Sequence, residues 1–176
     1  MKRFIILLGC LIFFICGCDS NDASMEVVNY FNKYSNFTSD VQSDLVSVSE
    51  NLNLSFELQK MYYDVYKRQY ENLTYEILSE KYDGKSATVL VRISVYDYGS
   101  IDRISNEYLK LYPDEFITNN SYDFNKFIEY KLNLMMDQSK RISYDLEVHL
   151  IKSNRKWMLE KLNNDALNKI NGVFIQ

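Results

Sequence analysis

Asp83-Gly84 stands between two stretches in which apolar and polar side chains alternate with a period of two. Before it runs Leu73-Thr74-Tyr75-Glu76-Ile77. After it, Ala87, Val89, Val91, Ile93 and Val95 alternate with Ser86, Thr88, Leu90, Arg92 and Ser94. Successive side chains of a strand point to opposite faces, so this pattern builds one buried and one open face. A helix would scatter the same residues around its circumference. Asp-Gly tolerates the positive φ that a tight hairpin turn demands. Residues 73–81 and 85–97 therefore read as an antiparallel hairpin. The pattern returns later, where Ile142, Tyr144, Leu146, Val148 and Leu150 alternate with Ser143, Asp145, Glu147 and His149. Asn154 marks a turn, so 141–151 and 156–162 read as a second hairpin.

Elsewhere the apolar period is helical. Ser24 is placed to cap a helix with Glu26 in its first turn, and Val27, Tyr30, Phe31 and Tyr34 share one face. Ser39 and Gln42 have capping-box spacing ahead of Val41, Leu45, Val48 and Leu52. A third helix is predicted over about 55–69, with Leu58, Met61, Tyr62 and Val65 on its buried face. Gly99-Ser100 opens another, carrying Ile101, Ile104, Tyr108 and Leu111, and Pro113 ends it. Asn119, Asn120 and Ser121 read as a loop. A helix over about 123–138 carries Phe124, Phe127, Ile128, Leu132 and Met135, and residues 165–175 read as a short helix or a frayed end. The order α-α-α-β-β-α-α-β-β defines an α+β fold. Its expected form is an antiparallel four-stranded sheet of two hairpins, packed by several helices on one face.

The amino-terminal segment carries an address. Lys2 and Arg3 precede Phe4 to Ile15, twelve residues without a charge, and Asp19, Ser20, Asn21 and Asp22 follow. This is the layout of a secretory signal peptide. The 15 apolar residues from Phe4 to Cys18 fall short of the roughly 20 that a membrane span needs. The segment Ile15-Cys16-Gly17-Cys18 resembles the lipobox of bacterial lipoproteins, an aliphatic residue and two small residues before a cysteine. That resemblance implies a thioether-linked diacylglycerol on Cys18, cleavage after Gly17, and acylation of the new amino terminus by a palmitate-like chain. The rival Leu7-Leu8-Gly9-Cys10 would leave Leu11 to Ile15 exposed on the mature chain. The chain thus divides into a signal peptide at 1–17, a lipid-anchored tether at 18–24 and one domain at 25–176. Its expected location is the bacterial cell envelope, on the extracytoplasmic face of an inner or outer membrane. The bilayer is its partner through acylated Cys18.

Cysteine and charge counts narrow the function. Cys10, Cys16 and Cys18 are the only cysteines, so the processed domain holds no disulfide, thiol nucleophile or cysteine metal site. Residues 1–17 contain Lys2, Arg3 and no acid, which leaves 18 basic against 24 acidic residues and a mature net charge of −6. Phosphate backbones repel such a domain, so nucleic acid is not expected as a partner.

Three stretches resemble bacterial lipoproteins with an NTF2-like, or cystatin-like, α+β domain. They are Met25 to Phe31 as the opening helix, Leu73 to Ile93 as the first hairpin, and Tyr144 to Leu159 as the last, with its Lys156-Trp157 ending. The likeness spans about 25–162. It implies a fold able to hold a conical cavity between helices and sheet, in which enzymes of the superfamily pair an Asp with a Tyr or His.

The residues offer little to fill that role. His149 is the single histidine and alternates with the buried positions of its strand, so it is expected on the open face. Asp97 has the parity of the buried face but sits at the strand end before Gly99, where Asp caps the next helix. Asp114 and Glu115 follow Pro113 in a loop. There is no glycine-rich phosphate loop or G-x-S-x-G pattern. Tyr62, Tyr75 and Tyr144 are candidates to line a ligand cavity, with core packing as the default. Tyr63, Tyr66 and Tyr70 do not fit one buried face and are the candidate exposed surface for a partner. No catalytic residue, cofactor or metal is expected. The functional expectation is a non-catalytic binding or scaffold module for an envelope protein or a small ligand; the alternative is a small hydrolase or isomerase using the cavity.

Overall fold

The computed structural model describes residues 22–175. The expected signal peptide, Cys18 and most of the expected tether lie outside them. The chain forms α1 (Ala23–Ser35), α2 (Ser39–Asn51), α3 (Phe56–Glu71), β1 (Thr74–Asp83), β2 (Ser86–Tyr96) and α4 (Tyr98–Leu111). A short 3-10 turn at Pro113–Phe116 leads to β3 (Ile117–Thr118), β4 (Ser121–Tyr122), α5 (Phe124–Asp137), β5 (Arg141–Ser153), β6 (Lys156–Leu159) and α6 (Asn164–Ile170).

The main sheet has the order β1-β2-β5-β6 and every neighbouring pair is antiparallel. Both expected hairpins are present, and the fold is α+β as the alternation required. In the first turn Asp83 pairs with Ser86, so the two turn residues are Gly84 and Lys85, and Gly84 takes the positive φ of 58°. The second turn places Asn154 and Arg155 at φ 50° and 65°. A bulge at Leu78 interrupts β1, since Ile77 faces Val91 while Ser79 faces Leu90. The extra residue moves Tyr82 onto the covered face, where its ring lies 5.6 Å from that of Trp157.

Val89, Val91, Ile93 and Val95 of β2 and Val148 of β5 are completely buried. Each contributes about 1.5–3 kcal/mol by leaving water. Val27 and Phe31 of α1 and Ile170 of α6 complete the same core, and Phe31 stacks on Tyr75 at 5.3 Å. The opposite face carries Arg92, Asp145, Glu147 and His149, all exposed. The helices extend beyond the sheet. Tyr108 of α4 stacks on Tyr130 of α5 at 4.8 Å, and Asp102 pairs with Lys131 between the same helices. Arg68 of α3 donates to Met135 O and Gln138 O at the carboxyl end of α5, at 3.3 and 2.7 Å, and lies 3.9 Å from the centre of the Tyr96 ring.

Several details depart from the sequence reading. α1 is preceded by Asp22 rather than Ser24, and α2 by Thr38 rather than Ser39, and neither cap makes a side-chain bond to the helix. Gln42 instead donates to Phe37 O at 2.7 Å. Val48, Leu52, Ile104, Leu111 and Phe124, expected on buried helix faces, are exposed. The expected loop at Asn119-Asn120 is a two-residue hairpin turn between β3 and β4, with φ of 53° and 63° that asparagine tolerates. The tail is helical: α6 is capped by Asn163, whose side chain accepts from Ala166 N at 2.8 Å.

Candidate functional site

α3 starts cleanly, with the Ser55 hydroxyl accepting from Leu58 N at 3.3 Å. It carries Tyr62, Tyr66 and Tyr70 four residues apart, on one stripe. The helix is flanked by α1 and α2 on one side and by α5 on the other. This double flanking widens its buried stripe and corrects the expected exposed surface. Tyr66 and Tyr70 retain only 9% and 8% of their accessible area. Tyr63 is half-buried, with its ring edge-on to Phe37 at 5.5 Å. No exposed aromatic surface exists at these three positions.

The same packing leaves a pocket between α1, α2 and α3. Tyr34 supplies one wall and Tyr62 and Tyr70 another. Val41, Leu45 and Val48 line the α2 side, Asp44 joins them, and Asn171 closes the lining from the end of α6. The Tyr34 and Tyr70 rings meet at 5.1 Å and 75°, forming a corner. Tyr62 and Tyr66 lie 4.6 Å apart behind it. The hydroxyls are already engaged: Tyr70 donates to Asn171 Oδ1 at 2.8 Å, and those of Tyr30 and Tyr34 are 3.2 Å apart.

Burial pushes the phenols of Tyr34, Tyr62, Tyr66 and Tyr70 above their usual range. The charge of Asp44 adds to this at Tyr34 and Tyr70. The rings are therefore neutral at any physiological pH. Asp44 is exposed and makes no ion pair among the described residues. Among the described residues it is the only charged side chain in the lining.

Asn171 is placed by a buried amide. Gln69 is completely buried; its Nε2 donates to Tyr96 O at 3.1 Å and Asn171 O at 2.9 Å, and its Oε1 accepts from Tyr96 N at 2.8 Å. Gly172 follows at φ 73°, and a Cβ there would run into Gln69 Nε2 and Tyr96 O. One side chain thus ties α3, the end of β2 and the tail into a single corner.

Of the three proposed cavity tyrosines, only Tyr62 reaches this pocket. Tyr75 donates to Asn32 Oδ1 at 2.7 Å and Tyr144 to Phe174 O at 3.1 Å, both within the core. Asp97 caps α4, accepting from Ser100 N at 3.0 Å, with Lys140 Nζ 3.3 Å from its Oδ2. His149 lies on the open sheet face, 3.1 Å from Thr88 Oγ1. Glu115 accepts from the Tyr108 hydroxyl at 2.9 Å. Among the described residues, no cluster of three His, Cys, Asp or Glu side chains is arranged to hold a metal ion, and no helix is long and apolar enough to cross a membrane. No family model, curated protein or solved structure matches the chain.

Sequence reasoning missed this site by dividing one stripe. Reading Tyr62 as inward and Tyr66 and Tyr70 as outward splits residues that a spacing of four keeps on one side of a helix. Tyr30 and Tyr34 on α1 repeat the same spacing. Two tyrosine stripes on adjacent helices were the available signal.

Proposed function

We propose that this protein is a lipid-anchored binding module of a bacterial cell envelope, held by acylated Cys18 on the extracytoplasmic side and non-catalytic in action. The observation that carries the reading is Ile15-Cys16-Gly17-Cys18 at the end of an uncharged apolar run, separated from the first helix by four residues. The structure adds support. Asp22 approaches the Tyr82 hydroxyl at 3.5 Å, beside the first hairpin turn, so the tether leaves the domain at that end of the sheet. The tyrosine pocket lies at the other end of α1, whose 13 residues span about 20 Å, which on this reading sets the ligand site away from the anchored end. The apolar face of the sheet is packed with completely buried side chains, which favours ligand contact at this peripheral pocket over chemistry in a central cavity. Kinship with NTF2-like lipoproteins belongs to the proposal, supported by the helix lying across two antiparallel hairpins. The test is Cys18→Ser with a clickable palmitate analogue in a bacterial host. Wild type is expected to carry label and fractionate with membranes, and the variant to lose both. A labelled, membrane-bound variant overturns the anchor.

A further inference from the structure

We infer that the tyrosine pocket takes a small organic cation of the methylated-ammonium type, an inference that rests on reading the protein as a binding module. Three rings wall the pocket, and two of them, Tyr34 and Tyr70, meet at 75° to form a corner. Aromatic faces carry negative quadrupole density and attract cations, more strongly as the site is desolvated. The one formal charge in the lining is Asp44, negative and without an ion-pair partner among the described residues. Among the described residues no Lys or Arg lines the pocket to neutralise an anion.

The chemistry also excludes other occupants. An anion would meet Asp44 and find the Tyr70 hydroxyl already donating to Asn171. A hard metal cation needs about six oxygen ligands, and the lining supplies a single carboxylate. A methylated ammonium needs neither strong donors nor an oxygen cage. Its methyl groups pack on rings and on Val41, Leu45 and Val48, while its charge faces Asp44. The phenols stay neutral because burial opposes their ionisation, so the rings remain the π surface throughout the pH range of growth.

The experiment is calorimetric titration of the mature, lipidated protein in maltoside micelles with choline and with 3,3-dimethylbutan-1-ol, its neutral isostere. Choline is expected to bind saturably and at least tenfold more tightly than the alcohol. Asp44→Asn, at an exposed position that leaves the core intact, is expected to abolish that preference. Tyr62→Leu is expected to weaken choline at least tenfold with the far-ultraviolet dichroism unchanged. Equal binding of both probes overturns the cation class while leaving the pocket as the ligand site. Binding of choline that is indifferent to Asp44→Asn and Tyr62→Leu places it elsewhere and overturns the inference. Binding of neither probe overturns the inference as well. The anchored-module reading fails separately, by the fate of label in Cys18→Ser.

Discussion

Gln69→Leu removes the amide that joins α3, β2 and the tail. The substitution replaces a completely buried amide with an apolar side chain one heavy atom smaller and branched one carbon nearer the backbone, so the cavity left is small beside the polar loss. Three hydrogen bonds disappear, two donated by Nε2 and one accepted by Oε1. At about 1 kcal/mol each, the loss is about 3 kcal/mol, and it rises if Tyr96 N–H is left without water. For a domain of this size that corresponds to a fall in Tm of about 6–12 °C. In urea, with a slope of about 2 kcal/mol/M, the midpoint falls by about 1.5 M. The assay is urea unfolding of the soluble Cys18→Ser protein, followed by Trp157, the single tryptophan, which is buried beside β5. Gln59→Leu is the control: its amide donates once, to Leu54 O at 3.0 Å, and should cost about 1 kcal/mol. A Gln69→Leu midpoint indistinguishable from that of Gln59→Leu would refute the idea that this amide holds the corner.

Three further outcomes follow from the same structure. Val91→Asp should give no cooperative unfolding transition, because a carboxylate at a completely buried sheet position lacks any partner; retained dichroism and a sharp transition would contradict the assignment of the covered face. Gly172→Ala should destabilise by more than about 2 kcal/mol in the same urea assay, since positive φ and the collision with Gln69 act together. In alkaline titration at 295 nm, burial raises the folded-state pKa of Tyr34, Tyr62, Tyr66 and Tyr70 and pushes Tyr98 up to about 12. A raised phenol contributes stability that is full below its unfolded pKa of about 10 and is lost as pH rises through the folded value; these rings should ionise only as the protein unfolds, and their smooth titration near pH 10 in folded protein would oppose the assigned burial.

The hairpins were legible because period-two alternation has no helical equivalent. Val89 to Val95 and Tyr144 to Leu150 state their own register, and Asp97 before Gly99 announced its cap. The bulge at Leu78 was less visible, although the alternation of β1 lapses after Ile77 where the extra residue enters. What stayed hidden depends on neighbours distant in sequence. Whether Ile104 and Leu111 are covered depends on what packs on α4, and whether Tyr66 and Tyr70 are exposed on the helices packed against α3. Gln69 gave no signal, since a lone glutamine on a helix reads as solvated until β2 and Asn171 are seen around it. The pocket belongs to the same category: Asp44 meets Tyr70 only once α2 folds back on α3.

The anchored-module account is tested most directly by the intact mass of the protein extracted from bacterial membranes. The account predicts a chain beginning at Cys18, heavier than residues 18–176 by a diacylglycerol and, where the host adds it, an amino-terminal acyl chain. A mass equal to the unprocessed 176-residue chain, or to a cleaved chain with unmodified Cys18, would contradict it.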